Sequence, residues 1–442
     1  MKRLILALIV LLAGVLPARA IDIQTIDVPG VGTAWLVENH SLPIIAIQAA
    51  FRDAGTAQDP QAKEGTATFV AGLLNEGAGD MDAAAFQQRL EELAIEMSFS
   101  AERDESFAFM RTLTENRNEA FRLLGLALTR PRFDADAIER VRKQLFAAVA
   151  QAEQTPSAVA AKRWYAAAFA GHPYARPKEG DAASLKAITR DDLSAFAASH
   201  FARGSLVIAI VGDVTPEEAK ALMAGAFGAL PEKATPTPVA EVKASPPAGI
   251  EVVARPIPQS TIVFGHAGIK RDDPDWYAAL VMNYTLGGGG FSSRLVNEVR
   301  EKRGLAYYVY TIFAPFDHAG IMLGSVGTQN ERAAESMAII GTEITKLRDQ
   351  GATEAELALA KKYLTGSYPL SFASSGKIAG ELVALQLDGF APDFVAKRNA
   401  YIEAVTLADV NRVAKRLLAP ENLHWVVVGA PDGVTSTVPA KK

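Results

Sequence analysis

The chain has 442 residues, 49% of them hydrophobic, a formal charge of −5 and no cysteine. That apolar content supports a sizeable packed core and excludes a disordered chain, while the length allows more than one domain. Disulfide and thiol chemistry are excluded, and the mildly acidic balance with scattered Lys and Arg argues against nucleic acid, whose phosphates call for a basic patch.

Read from the start, Met1-Lys2-Arg3 precedes an apolar run from Leu4 to Leu16 and then Pro17-Ala18-Arg19-Ala20. A positive start, a short apolar stretch and an A-x-A site describe a signal peptide; the apolar run is short for a bilayer span. Cleavage near Ala20 is expected, giving a periplasmic or secreted protein with no membrane attachment. The expected organisation is a signal peptide (1–20), a first domain (21–230), a linker (231–249), a second domain (250–432) and a flexible tail (433–442).

In the first half, strands are expected at Ala34–Val37, Ile44–Phe51 and Phe107–Leu113. Helices are expected at about 63–75, 82–94, 115–128, 134–152, 156–169, 190–200 and 214–227, and a buried strand at Leu206–Gly212. The stretch from Pro231 to Gly249 carries five prolines and no aromatic residue, which reads as a stiff, extended linker. In the second half, strands are expected at Ile250–Ala254, Ser260–Ala267, Tyr307–Phe313, Gly320–Gly327 and Leu423–Gly429. A helix capped by Ser292 or Ser293 should run to about Lys302 and stop at Gly304 in the left-handed conformation.

The halves repeat each other. Thr189 and Thr406 each read as a helix N-cap with acidic residues just after, and each helix is followed by an apolar run ending in Gly212 or Gly429. Both pairs are separated by 217 residues. Without a regular strand–helix alternation, the fold class is α+β: two homologous halves, each a mostly antiparallel sheet with helices packed on one face.

Several segments carry a family likeness: Ala50-Phe51-Arg52, Gly171-His172-Pro173-Tyr174, Val211-Gly212-Asp213, Leu286-Gly-Gly-Gly-Gly-Phe-Ser-Ser-Arg-Leu295 and Arg300-Glu-Lys-Arg-Gly-Leu-Ala-Tyr307. Over nearly the whole chain beyond the leader, the sequence resembles the pitrilysin/insulinase family of zinc peptidases, which includes the mitochondrial processing peptidases. Those enzymes carry an inverted H-x-x-E-H motif. Its three metal and base positions correspond here to Thr68, Ala71 and Gly72, and the family's third zinc ligand, a Glu, corresponds to Val149. Zinc takes imidazole, thiolate or carboxylate, so the resemblance implies no metal and no cofactor on this chain.

The six histidines, His40, His172, His200, His266, His318 and His424, include no pair at helical metal-ligand spacing, and His172 reads as structural. No G-x-S-x-G motif appears, and no Gly-Lys-Ser/Thr follows Gly287–Gly290, which excludes a phosphate loop. In the family, the counterparts of Arg300 and Tyr307 hold the substrate peptide across from the metal. These two residues are therefore expected to be substrate-binding and to face a common cavity between the halves.

Some family members divide these parts between two chains, one with the zinc motif and one with the Arg/Tyr pair; this chain resembles the second. The resemblance implies a non-catalytic subunit of a periplasmic heterodimeric metallopeptidase. A homologous partner would bear the zinc, and a peptide or unfolded protein would be the substrate. The alternative is a non-peptidase scaffold or peptide-binding protein on the same fold. Nothing in the sequence supports a hydrolase with a relocated site.

Overall fold

The protein is described by a computed structural model over residues 21–438; the expected signal peptide and the last four residues lie outside that range. Eleven strands form two sheets among the described residues. The first has the order β1-β2-β6-β3-β5-β4, from β1 (Gln24–Val28), β2 (Gly32–Glu38), β3 (Ile44–Phe51), β4 (Glu96–Ala101), β5 (Ser106–Leu113) and β6 (Leu206–Gly212). The second has the order β7-β11-β8-β10-β9, from β7 (Gly249–Ala254), β8 (Gln259–Ala267), β9 (Ala306–Pro315), β10 (Gly320–Gln329) and β11 (His424–Gly429).

Apart from β1, the two orders are the same. In each sheet one parallel pair, β2 with β6 and β7 with β11, sets an early strand of the half beside its closing strand. All other pairings are antiparallel. The α+β class therefore holds. The two helices that lead into the closing strands start alike, because Thr189 and Thr406 each form a reciprocal capping box with the Asp three residues on. Such a cap satisfies two otherwise orphaned N–H groups.

The inner face of each sheet packs on helices of its own half. In the first half, Ile45, Ile47, Ala49 and Phe51 of β3 and Ile208 and Ile210 of β6 meet Phe69, Phe121 and Leu193 in one buried cluster. The alternation along β3 and β6 leaves Ala50, Val207, Ala209 and Val211 apolar on the opposite face. That face is covered by helix Ser375–Leu387 of the second half, through Ile378, Ala379, Leu382 and Val383.

The converse arrangement covers the second sheet. Helix Pro156–Ala168 of the first half lays Ala160, Trp164 and Ala168 on Val263, Ile321, Val426 and Val428. Each half thus lends one helix to the outer face of the other's sheet, and the two helices occupy equivalent places in the repeated order. Arg52 fastens the C-terminal end of one exchanged helix: its guanidinium donates to Leu387 O at 3.0 Å and Gln386 O at 2.6 Å, where a positive charge meets the negative end of the helix dipole.

The proline-rich segment is extended and runs over the seam between the halves. Its Thr237 exchanges hydrogen bonds with the Gln58 side chain, and Val242 N–H donates to His318 O at 2.9 Å. The tail expected to be free from residue 433 is instead bonded as far as Val438. Thr437 N–H donates to Ile250 O at 2.8 Å, and Ser436 Oγ accepts from Val252 N–H at 2.8 Å. The cause is the edge position of β7, whose outer backbone groups need partners.

Candidate functional site

The helix expected at 63–75 spans Thr66–Leu73, because Gly65 before it sits in the left-handed region at φ +91°. No side chain at the N-cap position serves this end. Asp59 does so from a neighbouring turn, accepting from Gly65 N–H at 2.7 Å and Ala67 N–H at 2.8 Å. Burial pushes its carboxyl up to about 7, against the pull of those two N–H groups and of Arg176.

Three of the four degenerate metal positions lie on this helix and the fourth, Val149, on helix Ala135–Gln154, which packs against it. Thr68 Oγ1 donates to Lys178 O at 2.7 Å, so its hydroxyl is already engaged. Ala71 and Val149 are buried in the apolar core of the first half. Gly72 lies so close to the facing helix that an added Cβ would stand 3.1 Å from Val141 Cγ1. One hydroxyl and no imidazole, thiolate or carboxylate make up this donor set, which does not fit zinc. No cluster of three or more His, Asp or Glu elsewhere among the described residues could hold a metal.

Arg300 and Tyr307 also come together, but in a different setting from the one expected. The helix expected over 292–302 is wound in π fashion over Val296–Glu301. Its Lys302 N–H reaches back five residues to Asn297 O at 3.0 Å. Gly304 then turns the chain at φ +58° into β9. The Arg300 guanidinium carbon lies 4.9 Å from the Phe291 ring centre and 5.6 Å from that of Tyr307.

Tyr307 is 80% exposed and Phe291 70% exposed. The pair therefore faces solvent and not a cavity between the halves. The physical reason is that β9 is the outermost strand of its sheet, so among the described residues no further strand flanks this corner. Tyr310 and Ile312 on the same strand are exposed as well. Phe291 was not singled out from the sequence, although it stands in the Gly-rich signature just before Arg300.

The glycines of that signature have a packing role. A Cβ at Gly287 would fall 2.5 Å from Thr311 Oγ1, so only glycine lets the loop lie against β9. Asn283 fixes the same approach, with Nδ2 donating to Thr311 O at 3.0 Å and Oδ1 accepting from Thr311 Oγ1 at 2.8 Å.

The HPY turn lies at the seam. His172 Nδ1 accepts from Tyr174 N–H at 3.2 Å, which leaves Nε2–H to donate to Ala240 O at 2.9 Å. Both nitrogens of a neutral ring are thereby used, and burial lowers the ring's pKa. Tyr174 OH donates to Asp104 and accepts from His318 N–H at 3.2 Å. The other Asp104 oxygen accepts from Asp317 N–H at 3.1 Å. Beside this network Glu105 is pushed up to about 8 by burial first and by Asp317 and Asp104 next. Sequence reading gave no hint of this acidic seam, whose members come from separate parts of the chain.

Comparison with known proteins agrees with the geometry. Residues 47–182 match the sequence model of the insulinase family, peptidase family M16, and residues 187–364 match that of the peptidase M16 inactive domain. The chain is 32% identical over 368 residues to the non-peptidase homolog YmxG of Helicobacter pylori, covering 82% of this chain and 84% of that protein. It is 27% identical over 438 residues to an uncharacterized zinc protease of Mycobacterium tuberculosis, covering 96% of each. Among solved structures, a peptidase M16 inactive domain from Pseudomonas fluorescens superposes with a TM-score of 0.87 at 31% identity, over 95% of this chain and 100% of that one. The chain belongs to peptidase family M16, the insulinase or pitrilysin family, as one of its inactive members.

Proposed function

We propose that the protein is the non-catalytic, substrate-binding subunit of a periplasmic heterodimeric M16 metallopeptidase. A homologous partner carries the zinc and the general base. This chain contributes Arg300 and Tyr307 to the substrate, a peptide or unfolded protein. The observation that carries the reading is the exposed corner where Arg300, Tyr307 and Phe291 stand together, while the four metal positions of the same chain lack ligands. Arg presents a planar fork suited to peptide carbonyls, and a Tyr hydroxyl can stabilise a carbonyl oxygen as it gains charge. Both need a second chain to bring the scissile bond to them.

The test is reconstitution with an M16 chain that retains H-x-x-E-H, followed by kcat for Tyr307→Phe against wild type. Loss of an oxyanion donor should cost on the order of 10²-fold in kcat with assembly unchanged. A fully active Tyr307→Phe complex overturns the catalytic contribution. The second reading, a peptide-binding protein without a peptidase role, draws on the exposed Tyr310 and Ile312 beside the pair. It takes precedence if peptide binds this chain and no partner activates cleavage.

A further inference from the structure

A cavity of about 720 Å³ opens between the halves beside the degenerate metal position Val149. Val149 and Ala152 of helix Ala135–Gln154 form one wall, the exchanged helix Pro156–Ala168 another with Val159, Tyr165 and Ala166, and the loop around Lys178 a third. In a zinc-bearing relative the wall position at Val149 would hold a carboxylate; here it is aliphatic. Alanine, valine and proline supply 11 of the 23 lining residues, and the lining also carries six Arg and Lys side chains against three carboxylates. That excess is opposite in sign to the charge of the chain as a whole.

Two of these cations are held by neutral backbone groups. Arg103 Nη1 donates to Tyr174 O at 2.9 Å, with its guanidinium carbon 4.2 Å from the Tyr165 ring centre. Arg176 donates to Asp59 O at 2.8 Å and Ala57 O at 3.0 Å. Carbonyls fix the planes of these guanidinium groups without cancelling their charge. A pocket with an apolar lining and a few convergent polar groups is the usual form of a small-molecule site. Its positive excess selects the sign of the ligand's head group.

We infer that this inter-half cavity binds a small amphipathic carboxylate, with its aliphatic body against Val149, Val159 and Ala166 and its head among the cationic side chains. This is independent of the role of Arg300 and Tyr307, neither of which lines the cavity. The probe is sodium decanoate, measured by isothermal titration on the full-length protein, with decanol and decyltrimethylammonium as the neutral and cationic counterparts. Saturable one-site binding of decanoate, at least ~10-fold tighter than either counterpart (one factor of ten being about 1.4 kcal/mol), is expected. Ala166→Phe should fill the cavity and abolish binding. Lys162→Glu, at an exposed rim position where the fold is not at stake, should weaken decanoate at least ~3-fold and leave decanol unaffected. Absence of saturable decanoate binding overturns the inference. So does equal binding of the three probes, or binding that neither substitution alters.

Discussion

Arg163, on the helix that the first half lends, reaches Glu251 at the opening strand of the second sheet, with Nη1 to Oε1 at 3.3 Å. Glu251 is only 4% exposed, and His424 Nε2 stands 3.9 Å from its other oxygen. Removing one cation from a buried carboxylate costs more than the pair contributes. Arg163→Met should therefore destabilise the protein. Because the Arg side chain is itself partly solvated, roughly 1–3 kcal/mol is expected, below the ~3–5 kcal/mol of a fully buried pair. Urea unfolding at pH 7 measures it; an unchanged midpoint would show that the pair is dispensable.

Trp164, from the same helix, is fully buried against the second sheet. Trp164→Ala opens a cavity at the inter-half contact and should cost about 3–5 kcal/mol. The unfolding transition should stay single, since each sheet depends on a helix of the other half. Two separated calorimetric transitions in the variant would argue against that mutual dependence.

The pH dependence follows from the seam. Glu105 faces Asp317, Asp104, Asp388 and Arg52, and its folded carboxyl titrates at about 8, well above the ordinary value for an exposed Glu. The folded protein keeps a proton that the unfolded chain gives up, so this group lowers stability as pH rises from about 4.5 to about 8. Above that it has no further effect. Asp59, at about 7, acts in the same direction, so only the difference between variant and wild type isolates Glu105. Glu105→Gln should gain Tm over wild type progressively between pH 5 and pH 9. Parallel pH profiles for the two proteins would remove Glu105 as the source.

Dialysed protein should retain no stoichiometric zinc by elemental analysis, because Thr68, Ala71, Gly72 and Val149 supply one engaged hydroxyl and three groups without donors. One zinc per chain that survives dialysis would contradict this.

Tyr307→Phe should change the unfolding free energy by no more than about 0.5 kcal/mol, as for surface substitutions generally, since the side chain is 80% exposed. A large loss of stability would assign the Tyr a packing role in place of a substrate role.

Much of this fold was legible in local sequence. Ile44–Phe51 reads as a strand because it is apolar on both faces, and both faces are in fact covered. The closing strands β6 and β11 were readable for the same reason. The edge strands β1 and β4 were not. Gln24–Val28 and Glu96–Ala101 do alternate polar and apolar residues, but they are only five and six residues long and bury one face alone, so neither stands out as an apolar run. The helix exchange was also hidden: Trp164 and Leu382 show an ordinary apolar stripe, and nothing local says which sheet it covers. At the site, the family likeness identified Arg300, Tyr307 and the four metal positions by number. Their exposure depends on β9 being outermost, a property of strand order that no residue near Tyr307 encodes.

The crossed helices also say something about how such a chain could have arisen. A half-length protein with this sheet would carry an uncovered apolar outer face and a spare helix with nowhere of its own to pack. Two copies would solve both problems at once by trading helices, as a swapped, two-fold symmetric dimer. Joining the copies end to end through a stretch such as 231–249 would make that association intramolecular, at high effective concentration. With the copies no longer identical, one could keep a metal and the other a substrate grip, and either could be lost without unfolding the pair.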